Sequence, residues 1–174
     1  MTLGVFPVPK DVRADRDFQL VMGQDELIRL PMAIDDLTAS FDVGEWVKPG
    51  TSGGVTKAQK LDSGDDLTTP ALGAKACWTL YRPGDSSAGQ TDAMATGKID
   101  VLSGTYQAKT KIYKTGSSYS PGQLLAATYD SVNDRGYLDA LPTDGTITVV
   151  QLQRVVARVI EVASGVLHYE SPGL

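Results

Sequence analysis

The sequence predicts a mainly β domain: a small barrel or sandwich-like body built of short hairpins, with an extended N-terminal arm and little helix. Three observations predict it. Apolar residues fall in short stretches, not in long runs of helical period. Eighteen Gly and nine Pro punctuate those stretches in a chain of 174 residues, and both residue types favour turns over regular structure. β-Branched side chains crowd VVARVIEV at 155–162, where their stiffness suits a pleated strand. Hydrophobic residues at 41% and charged residues at 21% are the composition of a chain that buries a core. The length fits one domain with an arm.

Taken in order, residues 1–35 read as the arm and 36–174 as the β-rich body. In VFPVPK, Pro7 and Pro9 impose an extended path and remove two backbone donors. The later stretch ELIRLPMAI is apolar but interrupted by Pro31. FDVGEWVKPG reads as a strand with Gly44 inside it, a signal for a bulge. TSGGVTKAQK is a turn followed by a polar strand, LDSGDDLTTPALG a loop, and AKACWTLYRPG a strand covered on both faces. PGDSSAGQTDAMATGK reads as an exposed loop.

Two later segments allow sharper expectations. The apolar residues of GKIDVLSGTYQAKTKIYK change phase at Gly104. A hairpin at Ser103–Gly104, pairing Val101 with Tyr106 and Ile99 with Ala108, explains the change, and so does a bulge at Gly104. Ser164–Gly165 reads as a second two-residue turn, setting Val162 against Leu167, Ile160 against Tyr169 and Glu161 against His168. The preceding residues 149–156 fit a helix as well as a strand. Between the two units, Ser120-Pro121-Gly122-Gln123 suits a type II turn, and QLLAATYD a strand after it.

The chemistry is marked by what is missing. The single histidine, His168, rules out multi-histidine metal centres and HExxH sites. GDSSA and GSSYS both fail the G-x-S-x-G pattern, and no phosphate-cradling glycine motif is present. Asp62, Asp65 and Asp66 lack calcium-loop spacing and read as a solvated acidic turn. Asp11, Asp15 and Asp17 alternate with Arg13 and Arg16 as self-compensated charge. Cys77 is alone, which excludes an internal disulfide, and reads as a small buried hydrophobe. A net charge of −5 with dispersed Lys and Arg argues against binding nucleic acid. No apolar run reaches the ~18 residues of a membrane span, and MTLGVFPVPKDVR lacks the features of a signal peptide. The expectation is a non-enzymatic protein made in the cytoplasm, with no cofactor, metal or catalytic residue.

The blocks GEWV (44–47), ATGKIDVLSGTYQAKTKIY (95–113), YSPGQLL (119–125), VVARVIEV (155–162) and GVLHYESPGL (165–174) together resemble the capsid decoration, or head cement, proteins of tailed bacteriophages. Loops 50–73 and 82–96 carry none of the likeness. The resemblance implies a β-rich homo-oligomer, a trimer by analogy, on the outer surface of the phage head and in contact with the major capsid protein. It implies a structural role without catalytic residues. Phe6, Pro7, Val8 and Pro9 of the arm, together with Trp46, are the candidate partner-binding residues. The arm's contact is either capsid or a sister subunit. The alternatives are another virion component (tail tube, connector or baseplate) and a glycan-binding β domain using Trp46, Trp78 and carboxylates.

Overall fold

The computed structural model describes residues 18–22, 28–35, 41–65, 78–81 and 97–172. These residues are mainly β, with one short helix. The elements are β1 (Phe18–Met22), β2 (Ile28–Ala33), β3 (Trp46–Ser52), β4 (Val55–Lys60), β5 (Trp78–Tyr81), β6 (Lys98–Ser103), β7 (Thr105–Thr110), β8 (Leu124–Asp130), β9 (Arg135–Ala140), α1 (Val149–Gln153), β10 (Val155–Ala163) and β11 (Val166–Pro172). A six-stranded sheet has the order β1-β7-β11-β10-β8-β9 and a five-stranded sheet the order β2-β6-β5-β3-β4. All strand pairs within them are antiparallel.

The phase change at Gly104 is a corner, not a hairpin. β6 lies in the five-stranded sheet and β7 in the six-stranded one, so Val101 and Tyr106 do not face each other. Gly104 takes φ 101° at the crossing, a conformation that costs glycine little. β1 and β2 pair on either side of this corner, Leu20 with Ala108 and Leu30 with Val101. The described strands thus form a paired ribbon on each sheet.

This pairing moves the arm boundary. Residues 18–22 and 28–33 are edge strands of the two sheets, not part of a separate arm. Phe18 is buried, and a Cβ on Gly44 (φ +89°) would lie 2.5 Å from the Phe18 Cβ. The chain continues through Pro31 because β2 pairs only with β6 in its sheet, and an edge strand tolerates the missing donor.

Two hairpins have two-residue turns with both residues at positive φ: Gly53–Gly54 (61° and 78°) and Ser164–Gly165 (52° and 74°). That is type I′ geometry, which matches the twist of the flanking strands. Glu161↔His168 and Val162↔Leu167 pair as the sequence predicts. Tyr169 faces Val159, however, because the register shifts between Val159 and Glu161 and leaves Ile160 as the extra residue of a bulge. The helix at 149–153 is capped by a reciprocal pair: Gln151 N–H donates to the Thr148 side chain, and the Gln151 side chain accepts from Thr148 N–H.

The Pro121–Gly122 turn is as expected. Gln123 N–H donates to the Ser120 carbonyl at 3.0 Å, and the Gln123 side chain accepts from Ser120 N–H at 2.9 Å. Gly122 has φ +82° with open space around its would-be Cβ. Gly122→Ala is therefore expected to cost about 1 kcal/mol, purely from backbone conformation. Urea unfolding measures it, and an unchanged midpoint would show that this conformation is not held in solution.

The main core lies on one face of the six-stranded sheet. Tyr106 and Ala108, Leu167 and Tyr169, Val159, Leu125 and Leu138 pack there with Trp46 and Leu61. The Tyr169 ring centroid lies 6.2 Å from Trp46 and 6.1 Å from Tyr106. A smaller core of Ile34, Phe41, Val47, Ala58, Ile99 and Val101 belongs to the five-stranded sheet. The outer strands of that sheet are joined by a bridge from Ile34 to Ala58. The edge strand β9 is covered by residues 112–114: Lys114 N–H donates to the Leu138 carbonyl, and Leu138 N–H to the Ile112 carbonyl. Covering an edge removes it as a template for unwanted pairing.

Candidate functional site

Charged side chains concentrate where β3, β4 and the loop after β4 meet the β8–β9 hairpin. The sequence places them in local turns, and the fold brings the turns together. Asp42 and Glu45 form one turn: Glu45 N–H donates to the Asp42 carbonyl at 3.0 Å, and Asp42 N–H donates to Glu45 Oε2 at 2.9 Å. Residues 131–134 form another, with Asp134 at φ 49°. The Asp130 carboxylate accepts from the N–H groups of Val132 and Asn133 there. Such side-chain-to-backbone bonds are the usual reason for Asp in turns.

Glu45 is fully buried. Its Oε1 accepts from Gly136 N–H of β9 at 3.4 Å and lies 3.5 Å from Lys60 Nζ of β4. Burial pushes its carboxyl up to about 7, against the opposing pull of the Asp42 N–H, the Lys60 charge and the Gly136 N–H. Lys60 Nζ also lies 3.8 Å from Asp134 Oδ2 and 5.8 Å from the centre of the Phe41 ring. Arg135 reaches Asp42 at 3.2 Å and Asp130 at 4.0 Å. The two sheets are thus joined by alternating charge.

The acidic turn at 62–65 is solvated at Asp62, Ser63 and Gly64, as its composition suggests, but not at Asp65. Asp65 is buried, and its Oδ2 accepts from Lys48 Nζ at 2.6 Å and from Asp62 N–H at 2.9 Å. Burial disfavours the Lys48 charge, but hydrogen bonds to Asp65 and Asp62 hold its ammonium above the usual range. Asp62 is held low by its bond from Lys48 and by the Gly64 N–H. Thr128 of β8 donates to the Asp65 carbonyl at 2.9 Å, fixing the turn to the other sheet.

Trp46 is only 1% exposed; it is a core residue here and presents no ring to a partner or sugar. Phe6, Pro7, Val8 and Pro9 lie outside the described residues, as do Cys77, Asp66, the acidic residues before Phe18 and loop 82–96. His168 Nδ1 sits 3.6 Å from Glu161 across the β10–β11 pair, the cross-strand partner that the sequence predicts. Among the described residues no group of three His, Cys, Asp or Glu side chains converges to hold a metal ion, and no helix is long and apolar enough to cross a membrane.

Sequence reasoning missed the exposed apolar side chains. Val55 and Val162 flank the two type I′ turns, Val132 lies in the β8–β9 loop, and Val149 and Leu152 lie on α1. Val132 is 88% exposed. For Val132 the available signal is a lone Val between Ser131 and Asn133 in a turn. Compared with known proteins, the chain matches no family model, no curated protein and no solved structure.

Proposed function

We propose that this protein is a structural component of a phage virion that binds the outer surface of the head lattice through the major capsid protein and stabilises it as a decoration protein. One observation supports this reading best. Three of the blocks that bear the resemblance meet in one sheet: β7, β11 and β10 are adjacent strands, and YSPGQLL leads into β8 beside them. β6, which continues into β7 at Gly104, and GEWV, which opens β3, lie in the other sheet, where Trp46 packs on Tyr169 of β11. The many short turns project side chains such as Val55 and Val132 outward, and the segment before Phe18 is the candidate for reaching neighbouring subunits by strand addition or groove filling.

Such a protein acts by mass action. It binds the assembled lattice and not its separated subunits, and many modest contacts add through multivalency. It is a homo-oligomer, a trimer by analogy with other decoration proteins, made in the host cytoplasm and carried on the virion surface.

Co-sedimentation with purified heads lacking this protein tests the proposal. Saturable binding is expected, and its absence overturns it. Because β1 and β2 belong to the sheets, the informative truncation removes residues 1–17 only. It is expected to keep the circular dichroism of the full chain and to weaken head binding at least ten-fold. Unchanged affinity would remove Phe6, Pro7, Val8 and Pro9 from the contact.

A further inference from the structure

We infer that the N-terminal segment of one copy, residues 3–9, docks on the apolar end of the six-stranded sheet of a second copy, at α1 and the β8–β9 loop. Three of the four most exposed large apolar side chains among the described residues lie at that end: Val132 at 88%, Val149 at 71% and Leu152 at 51%. The register brings them to the same end. β10 starts at Val155 opposite Ala126 and runs antiparallel to β8, so α1, which precedes β10, and the loop that follows β8 leave the sheet together. α1 buries none of its residues and keeps its shape through the Thr148–Gln151 capping box. Residues 145–153 carry no charged side chain in a chain that is 21% charged. Apolar side chains grouped and exposed in this way mark an interaction surface.

The chain itself carries a matching segment. Its first nine residues, MTLGVFPVP, have no charged side chain, whereas six of the next eight, KDVRADRD, are charged. Leu3, Val5, Phe6 and Val8 supply apolar area. Pro7 and Pro9 restrict the backbone, so less entropy is lost on docking.

Residues 1–17 lie outside the described residues, but the point they lead into is defined. Phe18 pairs with Thr110, Thr110 with Leu167, and Leu167 with Val162. That row crosses four strands at the opposite end of the sheet from α1. Val155 stands about 14 Å across and about 20 Å along the sheet from Phe18, with α1 beyond it. Residues 10–17 span at most about 28 Å, so within one chain the segment would be drawn taut across the sheet to arrive. A second copy delivers it with slack. The contact then joins unlike surfaces of the two copies, a heterologous arrangement of the kind that closes into a ring. It supplies the contact of the proposed homo-oligomer and rests on that part of the reading.

Sedimentation and photocrosslinking of the full-length protein, both without heads, test it. Native chains are expected to associate reversibly, and Val149→Glu to raise the dissociation constant about ten-fold or more. A carboxylate in the first turn favours the helix, so this variant keeps α1 while placing a charge in the docking surface. The second reading uses a benzoyl-phenylalanine in place of Phe6, in a mixture of isotopically heavy and light chains. Crosslinks to residues 131–134 or 147–153 are expected, with heavy–light pairs among them. A monomer at every concentration, an unchanged dissociation constant for Val149→Glu, crosslinks confined to one chain or to other surfaces, or no crosslink would each overturn the inference. Head binding by a monomer would do so too while leaving the decoration role standing.

Discussion

Gly136→Ala is expected to be a severely damaging single-methyl addition, costing about 3 kcal/mol or more. The new Cβ would fall 2.0 Å from the Trp46 carbonyl oxygen, 2.8 Å from its carbon and 2.8 Å from Leu61 Cδ1. Two of these atoms are backbone, and no rotamer change moves them. β9 would have to withdraw from β3 by more than an ångström. That withdrawal would lengthen the Gly136–Glu45 hydrogen bond and disturb the packing of Trp46 on Tyr169.

Gly50→Ala supplies the matched control. Its Cβ would come equally close, 2.0 Å, but to the end of the Gln59 side chain. Gln59 can rotate away at the cost of its exposed 2.7 Å bond to Asp35. The expected loss is below about 1 kcal/mol. In thermal unfolding, a chain of this size shifts by roughly 2–4 °C per kcal/mol, so the two variants should separate clearly. Equal losses would mean that the close approach of β9 to β3 is not present in solution.

What was legible in the sequence is what is decided within a few residues. Ser164–Gly165 makes its turn because two successive residues accept positive φ, and Pro121–Gly122 because each residue meets one requirement of a type II turn. The helix at 149–153 starts on a Thr148–Gln151 capping box, a local signal that sequence reasoning missed, while the β-branched residues after it pull the same window towards a strand. The break at Gly104 was visible as a change of phase, but its meaning was not. A corner and a hairpin leave the same alternation, and the partners that distinguish them, β1 and β2, lie some seventy or more residues earlier. Assigning those two strands to an arm followed from Pro31 and mixed charge, which are also the marks of an edge strand.

The charged junction was hidden for a related reason. In GEWV, Glu45 is a single charged residue with no partner nearby in the sequence to mark it for burial. It becomes buried only because a glycine 91 positions later lets β9 approach. Asp65 looked solvated because its own turn is polar; the cover comes from Lys48 and Thr128. Local composition carries no record of either contact.

Asp65→Ala is expected to cost roughly 3 kcal/mol, the lower part of the range for breaking a buried ion pair. Three bonds would be affected. Lys48 Nζ would lose its 2.6 Å partner, Asp62 N–H would lose its acceptor, and the turn that presents the Asp65 carbonyl to Thr128 would be released. The loss is moderated because Lys48 keeps Asp62 at 2.9 Å, a contact that is largely exposed. Asp65→Asn preserves an acceptor for Asp62 N–H while removing the charge, and about 1–2 kcal/mol is expected. Lys48→Met leaves Asp65 buried with a single N–H donor and is expected to cost as much as Asp65→Ala. The double variant Lys48→Met/Asp65→Ala then decides what the pair contributes. If the two side chains act chiefly on each other, the combined loss is smaller than the sum of the single losses by about 2 kcal/mol. Fully additive losses in urea unfolding would show that Asp65 stabilises the turn through the Asp62 N–H alone and that Lys48 takes no part in joining the sheets.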